Sequence, residues 1–225
     1  MSRKGNSRHI NRFAASKYLK INRKVSQYVA KPDAGRYTLG NSMALITLLK
    51  EKLGVSTNSK EARYLIKGGS ISVNGKIVRI ERYPVGFGDI ITIVPINKSY
   101  RIGVAKKGVI STEEHAKEKG RTMKIIGKYV GSKNTTMLRL YDGAVVKGKE
   151  GVKVNDSVVL DGNAIKSIIK MQKGAKCYVI KGTHASESGI ILDIISGTAT
   201  RAPIVQVEGA SKFQTLLDNV MVTGE

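Results

Sequence analysis

Between residues 42 and 104 the apolar positions change period twice. Leu45, Ile46, Leu48, Leu49 and Leu53 recur at helical spacing, which predicts a helix capped by Ser42 and stopped at Gly54. A second helix is predicted from Asn58, with Glu61 at the third position of a capping box, to the Gly68-Gly69 pair. At 100° per residue, Ala62, Leu65 and Ile66 share one face of it, and Lys60, Arg63, Tyr64 and Lys67 share the opposite face. The period then drops to two. Ile71-Ser72-Val73 and Lys76-Ile77-Val78 flank Asn74-Gly75, a type I′ hairpin signal because both turn positions need positive φ. Tyr83 to Asp89 reads as a turn leading into an alternating strand from Ile90 to Val94.

Further on, short strands alternate with turns. Lys124 to Val130, Met137 to Tyr141, Ala144 to Lys147, Gly151 to Val154 and Val158 to Leu160 surround turns at Asp142-Gly143 and Asn155-Asp156, the layout of a small barrel. Thr112 to Lys117 reads as a short capped helix. From Lys176, a strand over Cys177 to Gly182 leads through a polar loop to Gly189–Ile195, Ile204–Glu208 and a last strand from Asn219 to Thr223. The first 36 residues have no sustained period and read as an extended basic arm, mobile until phosphates neutralise it.

Charge sharpens this division. The 225 residues carry 39 Lys and Arg against 17 Asp and Glu, a formal net charge of +22. It falls from +9 over residues 1–36, through +6 over 37–104 and +8 over 105–174, to −1 over 175–225. So positive a surface calls for a polyanion, and 41% hydrophobic residues are enough for folding. The last segment is set apart from the rest. The single cysteine, Cys177, excludes an internal disulfide and a thiolate zinc site, and reads as a core residue. No cofactor or metal is expected: His9, His115 and His184 lie in separate segments without ligand spacing. The longest nearly apolar run, Met43 to Leu49, is far short of a bilayer span, so no membrane partner is expected, and no secretory signal is visible.

The predicted phosphate contacts are Arg3, Lys4, Arg8, Arg12, Lys17, Lys20, Arg23 and Lys24 in the arm, and Lys60, Arg63 and Lys67 on the second helix. Tyr64 is positioned for stacking and Asn58 for backbone hydrogen bonds, with Lys76 and Arg79 on the hairpin beside them.

The run Asn58-Ser-Lys-Glu-Ala-Arg63-Tyr-Leu-Ile-Lys67-Gly-Gly, followed by Ile71-Ser-Val-Asn-Gly75-Lys, resembles the S-four-type RNA-binding module. The strands after Lys176 resemble a KOW motif in an SH3-like barrel, with Ser186 and Glu187 where that motif usually carries Gly and a basic residue. Protein docking or packing is therefore favoured over phosphate binding for this part. The order of arm, module, central β segment and KOW-like barrel resembles the small-subunit ribosomal protein S-four-e family of archaea and eukaryotes, the archaeal form more closely. Tyr83-Pro-Val-Gly-Phe87-Gly-Asp-Ile-Ile91, Thr112-Glu-Glu with Ala116-Lys117, Val154-Asn-Asp-Ser157 and Asn219-Val-Met-Val-Thr-Gly224 support it.

The expected fold is α+β and multi-domain: arm 1–41, a small α/β RNA-binding module 42–104, a central β domain 105–174 and an SH3-like barrel 175–225. The resemblance implies a non-catalytic cytoplasmic ribosomal component. It would be bound to small-subunit rRNA and, through the KOW barrel, to neighbouring ribosomal proteins, without a small-molecule substrate or a homo-oligomer.

Other chemistry fits less well. Gly143 to Glu150 falls one residue short of a P-loop, because Glu150 stands where a magnesium-binding hydroxyl is needed. An RNA-modifying enzyme such as a pseudouridine synthase also uses this kind of module. Leu138-Arg-Leu-Tyr-Asp142 departs from the spacing of that family's motif, and two small β units leave little room for a catalytic domain. A KOW-containing factor that binds RNA transiently fits the composition too, although the basic arm suits permanent burial in folded RNA better.

Overall fold

The computed structural model describes residues 7–114, 120–131, 134–148, 151–162 and 164–224. They form two compact units, the first from the described parts of 1–103 and 109–117, the second from those of 104–108 and 118–225. The fold is mostly β, with two short α-helices in the first unit.

In the first unit, β1 (His9–Asn11) pairs antiparallel with β2 (Tyr28–Ala30), His9 opposite Ala30. β3 (Ser42–Ala44) runs straight into α1 (Leu45–Glu51), which is followed by α2 (Ser59–Lys67). Then come β4 (Ile71–Val73), β5 (Lys76–Ile77), β6 (Pro84–Gly86), β7 (Ile90–Ile93), β8 (Lys98–Ala105) and β9 (Val109–Glu114). β6 pairs with β3, while the others form a five-stranded sheet in the order β5-β4-β7-β8-β9. One core joins Leu45, Leu48 and Leu49 of α1, Ala62 and Ile66 of α2, and Ile71, Ile91, Ile93 and Ile102 of the sheet. Removing this much aliphatic surface from water is what holds two such short helices in place.

The turn chemistry explains why the hairpin and the loop before β7 belong together. Asn74 and Gly75 both have positive φ, 53° and 80°. The Asn74 amide donates to Asp89 Oδ1 at 2.6 Å, and its carbonyl oxygen accepts from the Ile90 N–H at 3.0 Å. Asp89, fully buried, also accepts from the Gly86 N–H at 3.1 Å and from Arg36 at 3.3 Å. A buried carboxylate with these donors is satisfied, and it ties Arg36, β6 and the hairpin into one frame. Gly86 is needed for close approach: a Cβ there would fall 2.8 Å from the Tyr37 ring.

Three expectations are corrected in this unit. Ser42 does not cap α1. It lies in β3 opposite Gly86, its hydroxyl donates to the Thr38 carbonyl at 2.9 Å, and Ala44 is the N-cap, because strand pairing with β6 takes the first three residues. Thr112 to Glu114 belongs to β9, an edge strand whose exposed Glu113 and Glu114 face solvent, rather than to a helix. Residues 115–117 of that expected helix lie outside the described residues. From residue 7 onward, the segment expected as a free arm is folded: Ala15, Leu19, Ile21 and Val29 are buried in the same core as α1 and α2.

The second unit contains two antiparallel five-stranded sheets. β10 (Arg121–Val130), β11 (Thr136–Leu140), β12 (Val145–Lys147), β13 (Ser157–Asp161) and β14 (Ala164–Ile169) take the order β12-β11-β10-β13-β14. β15 (Lys176–Val179), β16 (Ser188–Ile195), β17 (Ile204–Glu208), β18 (Lys212–Leu216) and β19 (Val220–Val222) take the order β18-β17-β16-β15-β19. Each sheet has its own core, one around Ile125, Leu138 and Val158, the other around Val179, Val205 and Val222. Polar bonds join them: the Val222 N–H donates to Ser157 Oγ at 3.1 Å, and Asp156 accepts from the Lys153 and Met171 N–H groups, each at 2.9 Å. Gly151 to Val154 is a turn with Val152 facing the core, not the expected strand. Asp156 holds that turn through the Lys153 N–H.

Buried ionisable groups in this unit make its stability depend on pH. Burial lowers the Lys124 ammonium from 10.5 to about 8, partly opposed by Asp218, while its Nζ donates to the Leu217 carbonyl at 2.6 Å. Burial raises the Cys177 thiol from 9.0 to about 11 and the Tyr141 hydroxyl from 10.0 to about 12. Between pH 8 and 9 the unfolded chain holds the Lys124 proton that the folded chain releases, so stability rises with pH. Above pH 9 the protonated Cys177 thiol opposes that slope, and above pH 10 Tyr141 reverses it. Urea denaturation should show a gain of about 1 kcal/mol from pH 8 to 9, absent in Lys124→Met. The same gain in Lys124→Met would assign it to another group.

Candidate nucleic-acid interface

α2 is built to show one face to solvent. Ala62 and Ile66 are fully buried, Leu65 is half-buried, and Lys60, Arg63, Tyr64 and Lys67 are exposed, Tyr64 to 80%. The N-terminal cap is displaced by one residue from the expected box. Asn58 makes no side-chain cap, while Glu61 Oε2 accepts from the Thr57 N–H at 3.0 Å and the Thr57 hydroxyl at 3.2 Å. Asn58 is thereby exposed and unused by the cap. Just past the helix, Gly69 adopts φ +76°, and a Cβ there would lie 3.4 Å from Arg79 Nε. Arg79 therefore sits against the C-terminal end of α2.

A cleft of about 560 Å³ beside this face brings separate parts of the chain together. Arg8 and Tyr28 reach it from the N-terminal segment, Lys50 from α1, Ser59 and Arg63 from α2, and Arg79 and Arg82 from the loop after β5. Three acids also line it, and each is paired: Asp33 with Arg82, Glu51 with Arg12, and Glu81 with Arg63 at 2.8 Å and Lys67 at 3.5 Å. Among the described residues, Arg8, Lys50 and Arg79 have no acidic partner. Arg63 and Lys67 stay 48% and 64% exposed, so a phosphate can compete with Glu81 for them.

The expected contacts divide into three groups. Arg3 and Lys4 lie outside the described residues. Arg8, Lys17, Lys20, Lys24, Asn58, Lys60, Arg63, Tyr64, Lys67, Lys76 and Arg79 are all exposed. Arg12 and Arg23 face inward. Arg12 is 4% exposed, pairs with Glu51, and donates to the Asn22 carbonyl at 2.6 Å and to Ser26 Oγ at 2.8 Å. Arg12 is therefore a structural tether rather than a phosphate contact, a correction that follows from the folded N-terminal segment. The Arg23 guanidinium is half-committed, donating to the carbonyls of Phe13 at 3.1 Å and Ala15 at 3.4 Å.

Sequence reasoning missed Glu81, Arg82, Lys50 and Lys52. Lys52 is held below the usual lysine range by burial and by the nearby Lys20 ammonium, which marks a second positive locus where α1 ends. None of these residues stands in a motif, and only the tertiary fold brings them to the interface.

In the second unit, the loop between β15 and β16 has little phosphate-binding character. His184 stacks on Phe213 with ring centroids 4.2 Å apart and meets Glu187 at 3.2 Å. Lys181 lies over the Tyr141 ring at 5.3 Å. Ser186 has φ +77°, the left-handed conformation that a glycine adopts without strain. Of the near P-loop, Lys149 and Glu150 lie outside the described residues. Among the described residues, no group of three His, Cys, Asp or Glu side chains could hold a metal ion.

Comparison with known proteins bears directly on this face. Residues 45–91 match the S4 domain, and residues 96–166 match the ribosomal family S4e. The small ribosomal subunit protein eS4 of Archaeoglobus fulgidus is 32% identical over 96% of this chain and 93% of its own length. Its namesake in Methanosphaera stadtmanae is 32% identical over 100% of this chain and 95% of its own. The crystal structure of the 30S ribosomal protein S4e from Thermoplasma acidophilum superposes with a TM-score of 0.72 at 28% identity, covering 82% of this chain and 96% of that one.

Proposed function

The chain belongs to the ribosomal family S4e, and from that premise we propose how it works as a structural, non-catalytic constituent of the small ribosomal subunit. Its place is the ribosome of the cytoplasm, and its S4 domain is an RNA-binding one. The rRNA backbone crosses the exposed face of α2 and the adjoining cleft. Lys60, Arg63, Lys67, Arg79 and Arg8 neutralise phosphates there, Tyr64 stacks, and Asn58 supplies hydrogen bonds. Lys17, Lys20 and Lys24 form a second foothold, with Lys76 at the hairpin tip. The observation that carries this reading is the convergence of Arg8, Arg63 and Arg79, remote in sequence, on one cleft beside an exposed tyrosine.

The boundary at 174/175 remains our domain proposal, with 175–225 a KOW-type, SH3-like barrel. That barrel docks neighbouring ribosomal proteins rather than phosphate, as its net charge of −1 and its internally paired His184 and Glu187 favour. The chain enters the subunit as a single copy.

Titrating the full chain with small-subunit rRNA at increasing salt tests the reading. With about eight phosphates engaged, affinity should fall roughly 10³- to 10⁵-fold between 50 and 200 mM salt. A fall of less than tenfold would mean that these cations do not carry the binding.

A further inference from the structure

The second unit carries an exposed face that the reading above does not use. Directly opposed residues on neighbouring strands share a face of the sheet, and successive residues alternate between faces. In one row Tyr129 stands opposite Met137, and Met137 opposite Lys147. In the next row Gly127 stands opposite Arg139, and Arg139 opposite Val145. The intervening row turns inward: Leu138 and Val146 are core residues, and Lys128, opposite Leu138, donates to the Val152 carbonyl at 3.4 Å. Both outer rows therefore face away from the core.

Tyr129 is 48% exposed, and Arg139 and Lys147 are exposed. Among the described residues neither cation has an acidic partner, and neither row contains an acid. Gly127 shapes the surface. A Cβ built there would lie 3.9 Å from both Cβ and Nε of Arg139, so the arginine lies across a strand position that carries no side chain. The result is a low platform that presents a ring on β10, a planar guanidinium on β11 and an ammonium on β12, with Met137 between the ring and the ammonium.

We propose that this outer face of β10, β11 and β12 is a second RNA-binding site, which takes unpaired nucleotides of a single-stranded segment. A base stacks on Tyr129, while Arg139 and Lys147 hold the phosphates that flank it. Aromatic side chains on an open sheet favour unstacked bases over duplex, because a duplex does not offer its base faces. Charge decides between possible occupants: residues 105–174 carry +8, and a platform with two unpaired cations and no acid suits a polyanion. This inference rests on the RNA-binding reading of the chain.

The test uses the full chain carrying Arg63→Gln and Lys67→Gln, so that the α2 face does not mask the second site. The probes are a fluorescein-labelled oligouridine decamer, the same decamer containing 4-thiouridine, and an RNA duplex of a dozen base pairs. Tyr129→Ala should weaken decamer binding by about tenfold or more and leave duplex binding nearly unchanged, while Tyr129→Phe stays close to the parent. Photo-crosslinks should map to Tyr129. Arg139→Gln with Lys147→Gln should lower the salt slope for the decamer by about 1.4. Far-ultraviolet circular dichroism and the urea midpoint of Tyr129→Ala should match the parent, since the ring is half exposed.

Decamer binding unchanged by Tyr129→Ala would overturn the proposal, as would equal loss for decamer and duplex. Loss of a protein neighbour with RNA binding intact would also overturn it and make the face a protein-docking surface. If the unsubstituted chain binds neither RNA, the broader RNA-binding reading fails as well, which separates the two failures.

Discussion

A chain carrying Arg63→Glu and Lys67→Glu is expected to be nearly absent from assembled small subunits when it competes with the unsubstituted chain, whereas Lys181→Glu incorporates normally. Each reversal removes one phosphate attraction and adds one repulsion. At contact distance in water each such interaction is worth about 1 kcal/mol, so the four together reach about 4 kcal/mol, roughly a thousandfold in affinity. Both side chains are about half exposed or more, so the substitution acts on binding rather than on the core. Arg63→Gln with Lys67→Gln serves as the companion variant, because it avoids placing three carboxylates together at Glu81, and it should lose about half as much. Lys181 is a fair control, since it belongs to the second unit, where it lies over the Tyr141 ring. Quantitative mass spectrometry of purified subunits measures the competition. Equal incorporation of the Arg63/Lys67 and Lys181 variants would remove α2 from the contact surface.

Arg12→Ala is expected to destabilise the first unit by about 3 kcal/mol or more, with no comparable effect from Lys17→Ala. Arg12 is buried against Glu51 and satisfies the Asn22 carbonyl and the Ser26 hydroxyl, so truncation leaves a half-buried carboxylate and two acceptors without their donor. Breaking a buried, hydrogen-bonded ion pair by removing one partner typically costs about 3–5 kcal/mol. Arg12→Lys should rescue little of it, because one ammonium cannot reproduce the planar fork of donors. Amide exchange should quicken most in β1 and β2, which the arginine clamps to the end of α1. Urea midpoints for Arg12→Ala and Lys17→Ala that agree would show the N-terminal segment to be held by its apolar contacts alone.

The contrast between these two variants also shows what was legible before the fold was known. α2 was readable because a single helix sorts its residues by angle, so Ala62 and Ile66 against Arg63 and Lys67 follow from spacing alone. The Asn74-Gly75 hairpin was readable because positive φ at two successive positions leaves few alternatives. The N-terminal segment was not. Of its buried Ala15, Leu19, Ile21 and Val29, only Leu19 and Val29 belong to a regular element, a three-residue 3-10 turn and a three-residue strand, each too short to display a period. Arg12 looked like every other basic residue around it, and its partner Glu51 stands 39 positions away.

The same limit hid Glu81, which meets Arg63 and Lys67 only because α1 and α2 pack against the sheet. β18 escaped notice because only Phe213 of its five residues is buried. β14 alternates too weakly to show, and β9 carries its acids on an exposed edge, where helical capping and strand chemistry look alike. The family resemblance reached further than periodicity, since its motifs span both units.

Sucrose-gradient fractionation of native cells, followed by a high-salt wash and detection of this chain across the fractions, tests the central claim most directly. An integral subunit component held by many cooperative phosphate contacts stays with the small-subunit peak after the wash. Migration at the top of the gradient, or complete release by salt that leaves the other small-subunit proteins in place, would contradict it and mark the chain as a factor that binds the ribosome only transiently.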